Sequence, residues 1–218
     1  MKKLFLLLPL LILLSCGQPK EESKAGLTKA VVDNAIRSDD SLKAIIKANI
    51  NNGPAIDTIF LGFVFNMTEK QTAMYYVDLV KGKKLIKREK DDLMVYPMTF
   101  DVIKANAVIA PEFYDGKLYK LNLVLEGIDD IATTDAVFSQ TVAMYMKKYQ
   151  GFTFFEKPDI LDSKEKSYHL IKNNLDIFIH KTVEGTVVTY INMPQELLAQ
   201  KKKSDGLDSL KTQTQKDI

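Results

Sequence analysis

Phe113-Tyr114-Asp115-Gly116-Lys117-Leu118-Tyr119-Lys120-Leu121-Asn122-Leu123-Val124-Leu125 decides the fold. Asp-Gly between two apolar runs suits a two-residue hairpin turn, because such a turn needs consecutive residues that tolerate positive φ. In the returning run Leu121, Leu123 and Leu125 fall on one face and Lys120 and Asn122 on the other, the alternation of a half-buried strand. Strands extend back to Leu93 through Phe100, Val102, Val108 and Ile109. Before them, Thr68-Glu69-Lys70-Gln71 has the spacing of a capping box and predicts a helix to about Val80, with Ala73, Val77 and Val80 on its stripe. Ile56 to Phe65, β-branched and aromatic on both faces, reads as a strand covered on both sides or one leading into the core.

The same order then recurs. Thr133 or Thr134 caps a helix reaching Gln150, with Gly151 as the residue that ends it; Val137, Thr141, Met144 and Tyr145 form its stripe, widened by Phe138 and Val142. Strands follow at Phe152–Phe155, Tyr168–Lys172, Leu175–Lys181 and Thr186–Asn192, with turns at Asn173-Asn174 and Glu184-Gly185. Thr68 and Thr134 lie 66 residues apart, and Gly116 and Gly185 lie 69 apart. The expected class is therefore α+β: helices packed on antiparallel meanders, as two tandem units. Duplication and convergence on the same small sandwich both account for the pattern.

The expected organisation is a leader over 1–15, a flexible tether over 16–27, an N-terminal α+β unit over 28–128, a second over 129–194 and a polar tail over 195–218. Two short helices open the first unit, one over Lys29 to Ile36 capped by Thr28 and one opened by Ser38-Asp39-Asp40 and carrying Leu42, Ile45 and Ile46; Asn51-Asn52-Gly53-Pro54 stops the second. The tail has too few apolar residues to pack, and disorder is expected from about residue 203.

The leader is short and apolar. Met1-Lys2-Lys3 precedes Leu4 to Leu14, eleven residues, well under the roughly 20 of a spanning helix. Leu13-Leu14-Ser15-Cys16 resembles the lipobox of bacterial lipoproteins. That resemblance implies cleavage by signal peptidase II between Ser15 and Cys16, with Leu13, Leu14 and Ser15 as its recognition residues and a diacylglycerol thioether on Cys16. Two or more acyl chains anchor a soluble body stably, whereas one does so only marginally. Gly17, not Asp, follows the cysteine, so the retention signal known from enterobacterial lipoproteins is absent, and Lys20-Glu21-Glu22 is similar to the surface-export signal of Bacteroidota lipoproteins. The implied address is the outer membrane, on its periplasmic face or at the cell surface. Further on, Phe65-Asn66-Met67-Thr68 is similar to the Gly-Met-Thr turn of small outer-membrane lipoproteins of the BamE/SmpA class, a layout shared with domains of the β-lactamase-inhibitor-protein type. Asn66 stands in place of Gly and is the next-best residue for a left-handed backbone.

Composition narrows the function. Of 218 residues 46% are hydrophobic and 27% charged; there is one cysteine and no tryptophan. Lys2 and Lys3 leave with the leader, and the remaining basic residues number 28, matching the 28 acidic ones. A neutral chain of this kind has no nucleic-acid footprint, and one cysteine excludes an internal disulfide. The only imidazoles are His169 and His180. With Asn173-Asn174 as a two-residue turn, His169 faces Phe178 and lies diagonal to His180 on one sheet face. No third metal ligand follows from spacing, so both are read as surface or half-buried side chains, with no metal and no cofactor. Asp39-Asp40, Asp91-Asp92 and Asp129-Asp130 suit helix starts and turns. Lys81 to Lys84 with Lys87 and Arg88 form a basic loop. Phosphate loops, nucleophile elbows and His-Glu-x-x-His are absent. The expectation is a lipid-anchored envelope protein, not an enzyme, that binds a protein partner in the envelope as a binding or structural module, an outer-membrane accessory included. The alternatives are an inhibitor-like or ligand-binding lipoprotein, and an enzyme whose site is dispersed along the chain.

Overall fold

A computed structural model describes residues 24–89, 91–126, 131–158, 166–183 and 185–216. The Asp115-Gly116 turn forms as its sequence requires, with φ of 50° and 68° and Tyr114 paired to Lys117. It joins β3 (Ile103–Tyr114) to β4 (Lys117–Glu126), the last pair of a meander that also contains β1 (Ile86–Lys87) and β2 (Met94–Phe100). The second meander is β5 (Thr153–Pro158), β6 (Lys166–Lys172), β7 (Leu175–Thr182) and β8 (Gly185–Asn192). The two are not separate sheets. β4 pairs antiparallel with β8, Leu121 opposite Tyr190 and Leu123 opposite Val188, giving one eight-stranded antiparallel sheet of order β1-β2-β3-β4-β8-β7-β6-β5. The class is α+β, and each half places its last strand at the centre of the sheet.

One sheet face carries the core. Leu121, Leu123 and Leu125 are buried as their alternation predicts, alongside Ala107 and Ile109 of β3, Val188 and Tyr190 of β8, and Ile177 and Ile179 of β7. Two helices cover this face. α2 (Glu69–Lys81) starts at the capping box, where Thr68 accepts from the Gln71 amide and the Gln71 side chain accepts from the Thr68 amide. Its inner side is Thr72, Tyr76 and Leu79, with Val80 of the predicted stripe packed beside them; Ala73 and Val77 face outward, Val77 49% exposed, and the larger Tyr76 and Leu79 take the core because they bury more apolar surface. α3 (Ile131–Lys148) inserts Val137, Phe138, Val142 and Tyr145 as read from the sequence, while Met144 points outward. Thr133 and Thr134 lie inside its first turn, and Gly151 adopts a φ of 85° just after its end. Tyr190, fully buried, accepts from or donates to Tyr145 at 2.8 Å, so the deepest hydroxyls satisfy each other. Burial raises both phenols above their ordinary range.

Residues 56–65 are not a strand. Leu61 (φ 54°) and Gly62 (φ 89°) reverse the chain in a short 3₁₀ turn, and Phe63 donates to the Phe60 carbonyl while Ile59 donates to that of Phe63. The apolar run therefore forms a folded plug that drives Phe63 and Phe65 into the core, held by the Tyr75 hydroxyl donating to the Leu61 carbonyl at 2.7 Å. Asn66 adopts the left-handed conformation (φ 68°).

The opposite face bears the remaining helices. α1 is continuous over Lys24–Asn49, where the sequence predicts two short helices; no Gly or Pro separates them, and continuing a helix is easier than nucleating a second. Asp39-Asp40 thus lies mid-helix, and Asp39 pairs with Lys157 of β5 at 2.5 Å. The helix ends at Asn51 (φ 65°) and Gly53 (φ 137°). The Asn173-Asn174 turn clamps the chain just beyond this helix end: Asn173 donates to the Pro54 carbonyl at 2.7 Å, and Asn174 accepts from the Ile56 amide at 2.6 Å and donates to its carbonyl at 3.2 Å. α4 runs over Met193–Lys216, through the stretch that composition reads as an unpacked polar tail. Asn192 caps it by accepting from the Gln195 amide, and its sequence is rich in helix formers even where apolar residues are few. Central strand β8 is buried nearly throughout and its neighbour β7 at half its residues, whereas edge strand β5 is exposed or half-buried.

Gly185 sits where β8 enters beside β4, and an added Cβ would stand 2.4 Å from the Leu125 carbonyl oxygen at a φ of 133°. Gly116 has open space around it. Gly185→Ala should cost about 3 kcal/mol and Gly116→Ala about 1 kcal/mol, read as shifts in urea unfolding midpoint. Equal shifts would mean that the β4–β8 approach is not tight.

Candidate functional site

The second sheet face is polar at its centre, and α1 and α4 flank it without closing over it. Between them lies a cleft of about 1100 Å³. Leu42 and Ile46 of α1, with Ile50 just past its end, form one wall at a spacing of four residues; Met193 and Leu197 form the other on α4, with Ile191 beside them.

The floor comes from strand alternation. β4 contributes Lys120 and Asn122, β8 contributes Thr189, and β7 contributes Asp176, Phe178 and His180. His169 of β6 completes it, paired directly opposite Phe178 as the two-residue turn predicts. His169 is not a surface side chain. It is 7% exposed, and its Nδ1 lies 2.9 Å from Asp176 Oδ2, itself on a residue 4% exposed. Rings stack along the strands: His169 on Phe178 at 4.6 Å and Phe178 on His180 at 4.5 Å. His180 is half-buried, as expected. Sequence reasoning misses Asp176, although the same register that sets His169 beside His180 sets Asp176 on its other diagonal.

The charges are paired within the site. Lys120 and Glu196 meet at 2.8 Å. Burial alone would lower the Lys120 ammonium, but the hydrogen bond and charge of Glu196 outweigh it and hold it above its ordinary value. Asn122 donates to Glu112 at 2.7 Å and accepts from the Thr189 hydroxyl at 2.8 Å; Tyr119 also donates to Glu112, at 3.3 Å. His169 Nε2 has no protein partner among the described residues, and the buried Asp176 Oδ1 and His180 Nδ1 have none either.

Chemically the floor offers a histidine oriented by a carboxylate, the arrangement that fixes a tautomer and leaves Nε2 for a ligand or a proton. Among the described residues no group of three or more His, Cys, Asp or Glu side chains is placed to hold a metal. Elsewhere, among the described residues, Asp39-Asp40, Asp91-Asp92 and part of the basic cluster form ion pairs. Arg88 bridges Asp91 and Glu126, both at 2.6 Å, and Lys87 meets Asp92 at 2.8 Å, leaving Lys81, Lys83 and Lys84 exposed in the solvated loop between α2 and β1. Leu13, Leu14, Ser15 and Cys16, the Lys20-Glu21-Glu22 segment, Asp129-Asp130 and Glu184 lie outside the described residues. Among the described residues no helix is long and apolar enough to cross a membrane.

Removing His169 strips the buried Asp176 carboxylate of its partner, so His169→Ala should lose about 3 kcal/mol or more of stability in urea unfolding. A second prediction concerns pH. Burial, and then the charge of His169, holds the His180 imidazole below its ordinary value. The unfolded chain therefore takes up a proton near pH 6.5 that the native state resists, so this contribution is intact above that pH and is lost as pH falls below it. The drop in unfolding midpoint between about pH 7.5 and about pH 5.5 should be smaller in His180→Gln than in wild type.

The sequence matches no protein-family model, and comparison with curated proteins and with solved structures gives no match.

Proposed function

We propose that this chain is a lipid-anchored envelope protein that works by binding, with the cleft between α1 and α4 as its working surface. The lipobox-like Leu13-Leu14-Ser15-Cys16 supports the anchor. The cleft carries the reading of the body: two apolar helix faces look at each other across a polar floor, with no described side chain filling the space between them. In a close-packed interior such stripes would meet directly, and a concave, largely apolar site with a few convergent polar groups is the usual form of a small-molecule site. Capture of a small ligand is favoured on this ground over a purely structural role in an outer-membrane complex.

One observation favours a second reading. His169, oriented through Nδ1 by Asp176 and with Nε2 unpartnered, is the dispersed pairing that an enzyme of this fold would use as a general base.

Cys16→Ala should move the protein from the membrane fraction to the soluble fraction, or leave the leader attached; unchanged membrane retention would refute the anchor. Native mass spectrometry of wild-type protein, gently extracted from the cells that make it, should show one bound small molecule. Ile46→Trp, which fills the cleft, should lose it. A His169→Gln variant separates the two readings: for a binding protein the co-extracted molecule has the same mass as in wild type, whereas for an enzyme it is a larger or otherwise unprocessed species.

A further inference from the structure

We infer that the cleft takes an uncharged amphiphile, an aliphatic chain bearing a small hydroxyl or amide headgroup, an assignment that rests on the cleft being the binding surface. Three independent observations lead there.

The first is charge. Inside the cleft each strong charge already has its counter-charge or hydrogen-bond partner: Lys120 has Glu196, Asp176 has His169, and Asp39 has Lys157. Glu112 is held by Asn122 and Tyr119. At the outer edge of α1, Lys43 leans toward Asp40 at 3.6 Å, and Lys47 stands exposed there as Glu112 does across the cleft, one charge of each sign. Below that rim a ligand carrying net charge would lose its hydration and meet no uncompensated opposite charge, the situation in which burying an ion costs most, and the rim's one cation (Lys47) and one anion (Glu112) favour neither sign over the other.

The second is the chemistry of the floor. Asp176 Oδ1, on a residue 4% exposed, is buried without a partner in the lining, and His180 Nδ1 is buried without one as well. Neutral His180 is favoured, because burial lowers its proton affinity. His169 adds Nε2, which also lacks a partner among the described residues. A carboxylate oxygen accepts only, so an O–H or N–H donor satisfies Asp176 Oδ1 where an ester or ether does not; the ring nitrogens accept or donate according to tautomer, and a hydroxyl or amide answers either.

The third is shape. The facing stripes Leu42–Ile46–Ile50 and Met193–Leu197 run alongside the floor as a continuous apolar lining, and Leu197 is still 51% exposed. An extended chain seated between them would bury that surface at about 25 cal/mol per Å².

The test uses the full lipidated chain in nanodiscs with photoreactive (diazirine) probes of one chain length: a monoacylglycerol, the corresponding fatty acid and the corresponding alkylamine. The monoacylglycerol should label residues 42–50 and 193–197 saturably, and unlabelled monoacylglycerol should compete it away. The two charged probes should need about tenfold higher concentration for the same labelling, the fold-change equivalent to ~1.4 kcal/mol. Ile46→Asp should abolish labelling, and Leu197→Asp, at an exposed position that leaves the core untouched, guards against a folding defect in the first variant. Equal or stronger labelling by either charged probe would overturn the ligand class while the cleft stands as a binding site. No saturable labelling of either wall by any probe would overturn the cleft reading itself.

Discussion

The antiparallel pairing of β4 with β8 is the contact on which the molecule depends. Without it there are two four-stranded meanders, each with one helix on its core face and too little buried surface to be secure alone. With it, Leu121 and Leu123 meet Tyr190 and Val188 across the join, and the two cores become one. The same pairing aligns Lys120 and Asn122 from one half with Thr189, Asp176 and His180 from the other, so the polar floor of the cleft exists only because the sheet is continuous. The closeness of that join is visible at Gly185, where no side chain fits against the Leu125 carbonyl.

Features set by neighbours in sequence are legible. Asp115-Gly116 needs only local backbone preferences to form its turn, Thr68 and Gln71 only each other, and Asn66 only its tolerance of positive φ. The alternation around Leu121 states its own buried face, and the length of the Asn173-Asn174 turn is enough to place His169 opposite Phe178. Harder to read are features decided by distant partners. Ile56 to Phe65 has the composition of a strand, but Tyr75 and the core reward a folded plug instead. The stripe of α2 escapes spacing alone because size chooses between Val77 and Tyr76.

The site is half legible for the same reason. Register puts two histidines on one face, which is sound, but their burial depends on α1 and α4 flanking that face; Leu42 and Ile46 mark the apolar side of α1, whereas nothing local marks the full length of that helix or the docking of α4. α1 looks like two pieces and α4 like a solvated tail. Asp176 carries its signal openly, as an acidic residue in an otherwise apolar strand, Leu175-Asp176-Ile177-Phe178-Ile179. A carboxylate in such a strand calls for a partner on the neighbouring one, and His169 sits at the diagonal that supplies it.

Placing both closing strands at the centre also governs how the chain can fail. Until Gly185–Asn192 is made and reaches it, β4 is a bare edge of ten residues with Leu118, Leu121, Leu123 and Leu125 along it. Such an edge is a template for any similar strand, including that of a second nascent copy. Native closure requires a partner more than sixty residues later in the chain, which makes it slow relative to local hairpin formation. A fragment ending between the halves would therefore be expected to self-associate through this edge, while in the finished protein β8 covers it from Lys120 to Leu125.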